Sequence, residues 1–349
     1  MRLVDMLREG RILARAVGLG RVLRSKRRHQ QAKPILRGYH TYKAIQALSE
    51  IGFLDELKKG EPLSSEGFAS SRNMNQDVLK AVCRYLEGVG VLMRLDRGYA
   101  LSEFGFEITE EPRGMFNLTR AYTPLVDNLT ELIRGNNDGL ERDIGYVARG
   151  SGELGEQIPF PVLRDIVLER GSKKVLDLGC GDMRFPIMLC RADGNVVVYG
   201  IDKDENALRE AERNIRNADL DGRLFTTQAD MFDLDKLKKR FEKGQIDCLV
   251  AIDVFHEYMN NPNAVIGLLR DYRNYFHPAD FVIGEMFSQP KRELARMPSA
   301  TLEHIFHHEI SGQQVVPLEN WRYVYCAAGF TTLDEKVFTS FGHCYHVLQ

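Results

Sequence analysis

The run Val175-Leu176-Asp177-Leu178-Gly179-Cys180-Gly181-Asp182 constrains this chain more than any other feature. It reads as a buried strand entering a glycine turn and leaving into a helix. Glycines at 179 and 181 let the backbone approach a ligand where a Cβ would collide. A glycine pair alone is shared with dinucleotide-binding folds. Three further features narrow the choice. Leu178, preceded by acidic Asp177, stands three before the second glycine, and the third glycine of the pyrophosphate fingerprint is missing. A second strand, VVVYGID, ends in Asp202 followed by Lys203, about twenty residues downstream, where an acid hydrogen-bonds ribose hydroxyls. A third strand ends in Ala229-Asp230-Met231-Phe232, an acid and an aromatic suited to an adenine amine and ring face.

From Lys173 onward short apolar runs alternate with charged helical stretches: KVLDLG, VVVYGID, RLFTTQAD, DCLVAID, FVIGEM, TTLDEKVF and CYHVLQ. Strands alternating with helices imply an α/β fold, a Rossmann-like and mostly parallel sheet with helices on both faces. Ahead of it the chain is mainly helical. Residues 40–58 carry apolar positions at helical spacing, ending before Lys59-Gly60. The next stretch reads as helix, turn, a second helix near 75–89, and a two-stranded wing around Asp96-Arg97-Gly98, a winged-helix pattern. The second helix has only Lys80 and Arg84 as cations, which favours dimerisation over groove reading. Residues 114–165 read as further helices, broken by a glycine-rich turn at Arg149-Gly150-Ser151-Gly152. The expected divisions are a basic arm at 1–37, a winged-helix dimerisation domain at 38–112, a helical linker contributing to a substrate pocket at 113–165, and the cofactor domain at 166–349.

A chain of 349 residues, 44% hydrophobic and 28% charged, fits two soluble domains. No stretch approaches the roughly 18 apolar residues of a membrane span. The six cysteines are scattered without a CxxC pair, which argues against a disulfide framework or a cysteine zinc site and points to a reducing cytoplasm. The net charge of −2 hides eleven Lys/Arg against two acids in residues 1–37, leaving −11 on the remainder. Leu3, Leu7, Leu13, Val17 and Leu23 roughly keep one face of this arm apolar, which favours docking on the acidic body or a second subunit over nucleic acid or lipid.

Together the cofactor motifs resemble the class I S-adenosylmethionine (SAM) methyltransferases, across roughly 160–349. The resemblance implies that Asp177 and Gly179, with Gly181, hold the methionine portion of SAM. It implies Asp202 and Lys203 at the ribose, Asp230 with Met231 or Phe232 at the adenine, and Asp253 facing the sulfonium or orienting His256. A nucleoside-binding sheet with NAD is the alternative. Arg184 stands where small residues are common, and nothing in the sequence explains it.

The fourth strand runs into Val254-Phe255-His256-Glu257-Tyr258, at the reaction end of a doubly wound sheet. Downstream, TLEHIFHHEISG puts His304, His307 and His308 on one helix. In one reading a histidine is the general base of a metal-free O-methyltransferase acting on a phenolic or polyketide hydroxyl. Small-molecule O-methyltransferases, which the winged-helix organisation resembles, use a histidine here. In the other, His256, Glu257 and a histidine of this later cluster form a facial triad for a divalent metal (iron, zinc or cobalt). The pair His256–Glu257 favours the second reading, because a simple base gives no work to a neighbouring carboxylate. The arrangement resembles the bacterial α-keto acid C-methyltransferases, which act on phenylpyruvate, 2-ketoarginine or branched-chain keto acids. That implies β-carbon methylation of a small 2-keto acid in a homodimer, with His308 matching the family's later histidine so that His256, Glu257 and His308 hold the metal, and with His256, His307 and His308 as the catalytic candidates. A third possibility is a SAM-binding regulator without catalysis. Arg149 is a weaker carboxylate-binding candidate, and Trp321, Tyr323 and Phe330 read as core.

Overall fold

The computed structural model describes residues 3–110, 112–220, 222–297 and 299–349, and the side chains from residue 8 onward. The chain divides into two compact units after Glu110.

The first unit opens with helices Leu3–Val17 and Leu19–Glu50, separated by Gly18 at φ 83°. The second of these runs straight through the expected boundary at 37/38, so the basic arm is continuous with the helix that follows it. Leu13, Val17 and Leu23 are exposed, and so are Ile35, Leu36 and Tyr39, whereas the side chains of Leu3 and Leu7 lie outside the described residues. The helix expected over 40–58 is two helices. It stops at Glu50, turns through Gly52 at φ 75°, a left-handed position that favours glycine, and restarts as Phe53–Leu57. Helices Ser65–Ser71 and Gln76–Gly88 follow, each with a side-chain N-cap. Ser64 Oγ accepts from Gly67 N–H and Asn75 Oδ1 from Val78 N–H, both at 3.1 Å. Strands β1 (Leu92–Leu95) and β2 (Gly98–Leu101) pair as an antiparallel hairpin, so helix, turn, helix and hairpin all stand where their sequence signals put them. Lys80 is tied to Glu66 at 2.7 Å.

The second unit is built on seven strands: β3 (Lys174–Leu178), β4 (Val197–Asp202), β5 (Leu224–Gln228), β6 (Cys248–Ile252), β7 (Asp280–Met286), β8 (Thr332–Phe338) and β9 (His343–Leu348). Their order is β5-β4-β3-β6-β7-β9-β8. The first five are parallel, and β9 pairs antiparallel with both neighbours. All seven apolar runs of the sequence are strands, and the α/β reading holds. Side chains alternate across the sheet: Leu176, Leu249 and Phe281 pack on one face against the helix carrying buried Trp321, while Val175, Val250 and Val282 pack on the other against Leu163 and Ile166. Each such side chain contributes roughly 1.5–3 kcal/mol by leaving water. Trp321 and Phe330 are core, Phe330 from beyond the end of the helix that carries Trp321, but Tyr323 on that helix is exposed.

The expected glycine turn at 149–152 is instead helix, Ile144–Gly155. Its glycines allow close helix packing rather than a break. A Cβ on Gly150 would stand 2.5 Å from the Leu118 backbone N, and one on Gly114 would stand 2.7 Å from the Leu154 backbone N. Helix Arg113–Val126 thereby lies against Ile144–Gly155 at backbone distance. Arg149 is exposed and lies over the Tyr146 ring.

Candidate active site

The strand order reverses direction at β3, between β4 and β6, where a doubly wound sheet opens a crevice at its carboxyl ends. A cavity of about 390 Å³ occupies that crevice, bordered by Asp177, Gly179, Gly181, Asp202, Lys203, Asp230, Met231 and Asp253. Eight of the nine residues assigned to the cofactor from sequence therefore meet in one place. The ninth, Phe232, packs on Tyr258, which lines the cavity.

Backbone geometry explains the glycines. Gly179 sits at φ 75° with Val254 Cγ2 2.8 Å from where a Cβ would be, and Gly181 sits at φ 53°. The Gly181 N–H donates to Asp202 Oδ2 at 3.0 Å, and Asp202 Oδ1 accepts from Asp204 N–H at 2.9 Å. Asp230 Oδ1 accepts from Phe232 N–H at 2.9 Å, which shapes the turn after β5. The Lys203 ammonium donates to the Tyr258 hydroxyl at 3.1 Å. Asp177 is the exception to this satisfaction. It is 2% exposed, and its Oδ1 has no hydrogen-bond partner. Burial, with the Asp202 charge adding to it, pushes its carboxyl up to about 8. An unpartnered buried carboxyl oxygen on a residue that borders the cavity is a candidate partner for a cationic ligand group. Arg184 also has its explanation: the guanidinium donates to Asp182 and to Glu156, each at 2.7 Å, and so neutralises the buried Asp182 beside the glycine turn.

The turn after β6 carries Asp253, left-handed at φ 53°, and then His256 and Glu257. His256 is buried. Its Nδ1–H donates to Glu285 Oε2 at 2.9 Å, while Glu285 Oε1 accepts the N–H groups of Val254 and Phe255. His308 Nδ1–H donates to the His304 carbonyl at 2.7 Å. Each ring thus has its outer N–H fixed from behind, and the two Nε2 atoms face each other at 3.1 Å. In their neutral forms both of those atoms present lone pairs. Burial pulls His256 down, but the Glu285 charge and hydrogen bond outweigh it and raise it. Burial, then the charge of His256, drives His308 far below the usual imidazole range. A proton on Nε2 of the raised His256 makes this contact a hydrogen bond to neutral His308. With both rings neutral, a cation beside the two nitrogens would instead take up both lone pairs. The spacing suits it, since two ligands about 2.1 Å from one ion at tetrahedral or right angles stand roughly 3.0–3.4 Å apart.

The remaining candidates fall differently. Glu257, assigned to the same metal, accepts instead from the Arg142 guanidinium at 2.7 Å, and Arg142 also reaches the Tyr122 hydroxyl and Gln313. His307 stacks on Tyr122 with ring centres 4.7 Å apart, and the same Tyr122 ring lies 5.9 Å from that of His308. His304, which burial pushes down to about 4, borders a second cavity with His307. Asp253 Oδ1 accepts from His343 Nε2 at 2.9 Å. Asp253, His256 and Glu285 offer ligand atoms close together, but the oxygens of Glu285 are engaged by two backbone N–H groups and an imidazole, so it is an orienting group. Sequence reasoning missed Glu285, Arg142, Tyr122 and His343. A glutamate inside the apolar run FVIGEM was a signal for the first, and none marked the others.

Residues 169–314 match a family model described as a methyltransferase domain. The 2-ketoarginine methyltransferase of Streptomyces arginensis is 26% identical over 190 residues, 53% of this chain and 56% of that protein, so the chain matches about half the length of this curated relative. Among solved structures, the mitomycin 7-O-methyltransferase superposes with a TM-score of 0.71 at 13% identity, covering 94% of this chain and 99% of that one. Human N-acetylserotonin methyltransferase in complex with SAM gives 0.70 at 13%, covering 92% and 97%. Residues 169–314 therefore match the methyltransferase domain model, and the chain shares its fold with these solved structures.

Proposed function

We propose that this protein is an enzyme that moves the methyl group of SAM to the β-carbon of a 2-keto acid, with a divalent metal held by His256 and His308. The observation that carries the reading is the pair of imidazole nitrogens facing each other at 3.1 Å, each ring fixed from behind. SAM supplies the electrophilic methyl carbon. A bound iron, zinc or cobalt ion supplies Lewis-acid stabilisation of negative charge on the acceptor, worth several kcal/mol. The protein's own groups do the positioning. Asp177 holds the cationic end of SAM, Asp202 with Lys203 the ribose side, and Asp230, Met231 and Phe232 the adenine side. Arg142 takes the carboxylate of the acceptor in place of Glu257, which is then released toward the two histidines. His307, kept neutral by burial and bordering the adjoining cavity, receives the β-proton.

A second reading keeps His256 as a general base, oriented by Glu285, for O-methylation of a phenolic or polyketide hydroxyl. The Glu285–His256 contact favours it, and two of the similar solved structures are named for O- or N-acetylserotonin methylation. The two readings separate in one experiment: incubate with 13C-methyl SAM, a 2-keto acid and a phenol, with and without EDTA. A carbon-bound methyl signal lost on chelation supports the first reading. An oxygen-bound methyl insensitive to chelation replaces it with the second.

The finer assignments are also our proposals. The helix–turn–helix and hairpin of the first unit form a winged-helix dimerisation domain. A second copy covers the exposed apolar residues of helices Leu3–Val17 and Leu19–Glu50. Free thiols at all six cysteines fit a cytoplasmic enzyme. Among the described residues no helix is long and apolar enough to cross a membrane.

A further inference from the structure

The sequence left the acceptor's side chain open, and the second cavity bears on it. This chamber has a volume of about 240 Å³ and lies wholly within the second unit. Asp253 borders both it and the cofactor cavity, so the chamber adjoins the place where the methyl group is delivered. Its walls include Met115, Leu118, Leu154, Met286, Phe338 and Tyr345. These come from the closely packed helices Arg113–Val126 and Ile144–Gly155 and from β7, β8 and β9. Histidines 304, 307 and 343 border it too, His343 in contact with Asp253.

We infer that this chamber receives an apolar acceptor tail of aromatic-ring size and rejects a cationic one; the inference rests on the acceptor site proposed above. Volume sets the size class. An apolar cavity of about 150 Å³ takes up benzene, so this one holds a phenyl ring with a small substituent or a branched alkyl chain. Charge sets the polarity. A guanidinium or ammonium brought into an apolar chamber needs a carboxylate partner. Among the described residues two carboxylates border this one. Asp253 is committed to His343 at 2.9 Å, and Glu303 is exposed to water. The tail preferred here therefore differs from that of the curated relative, whose name specifies 2-ketoarginine.

The test is equilibrium binding to the full chain in the presence of S-adenosylhomocysteine. A benzyl tail and a guanidinopropyl tail are compared, each carried on a 2-keto acid and on a phenol. The benzyl tail should bind about 100-fold more tightly or better on whichever head binds, the upper range for pocket discrimination by size and polarity. Leu154→Ala should shift the preference toward a naphthyl tail, and Glu303→Gln should leave the ratio unchanged. Preference for the benzyl tail on the phenol alone keeps the chamber and removes the 2-keto acid reading. A guanidinopropyl tail that binds as well as the benzyl tail, or that loses its binding in Glu303→Gln, overturns the inference.

Discussion

Asp177→Asn should make the protein more stable and a poorer SAM binder at the same time. The native carboxyl is buried with one oxygen unpartnered, and its affinity for a proton is raised from the ordinary 3.8 to about 8. For an acid raised in this way, the unfolded chain binds fewer protons than the folded one above pH 3.8. Stability is therefore lost as pH rises from about 3.8 to about 8 and is level beyond. At pH 7 that loss spans about three units at 1.36 kcal/mol each, on the order of 4 kcal/mol. Asparagine is never charged but keeps an unsatisfied polar atom, so the variant should recover roughly 2–4 kcal/mol, a rise of roughly 5–10 °C in Tm at pH 7. SAM binding carries the opposite sign. About one-tenth of the native carboxyl is ionised at pH 7, so pairing with a cationic ligand releases most of one proton and costs about 1.4 kcal/mol relative to pH 9. Calorimetry of the cofactor in buffers of different ionisation enthalpy reads that proton directly, and the asparagine variant should bind at least tenfold more weakly with no proton release. A variant that melts lower than the parent at pH 7, or a parent whose affinity is flat between pH 6 and 9, refutes the reasoning.

Three other perturbations have worked directions. Glu285→Gln must keep its side-chain oxygen toward the Val254 and Phe255 N–H groups, so its NH₂ faces His256 Nδ1 and drives the proton to Nε2. The lone pair facing His308 is then lost, and metal affinity or turnover should fall roughly 10–100-fold with the fold intact by circular dichroism. Gly150→Ala places a Cβ about 2.5 Å from the Leu118 backbone and should cost roughly 1–3 kcal/mol in denaturant unfolding. An unchanged midpoint would mean the two helices separate freely. Arg184→Ala strips the buried Asp182 of its partner and should cost on the order of 2 kcal/mol, more at pH 8 than at pH 5, where the carboxyl takes up a proton more readily.

What the sequence made legible follows from locality. The strands and the glycine turn are short runs whose residues do their work within one element, so VLDLG and VVVYGID read correctly. The cofactor residues sit at consecutive strand ends, and sheet topology alone brings them together. Gly150 was misread because glycine at a turn and glycine at a helix crossing look alike until the partner helix, more than 30 residues earlier, is in place. Arg142 was invisible for the same reason, since it acts on a residue 115 positions away, and the glutamate inside FVIGEM marked Glu285 as unusual without naming His256, 29 positions away, as its partner. The pairing of His256 with His308 was legible as chemistry but not as geometry. That Glu257 turns to Arg142 rather than to those histidines depends on a guanidinium supplied from the loop before helix Ile144–Gly155.

The central claim is that two imidazoles share one cation beside the cofactor cavity. Metal analysis of the purified full chain, alongside His256→Ala and His308→Ala, tests it most directly. The account requires close to one iron, zinc or cobalt per chain in the parent and near none in either variant, with SAM affinity retained in all three. A metal-free parent that transfers methyl groups at full rate, or variants that keep their metal, would contradict it.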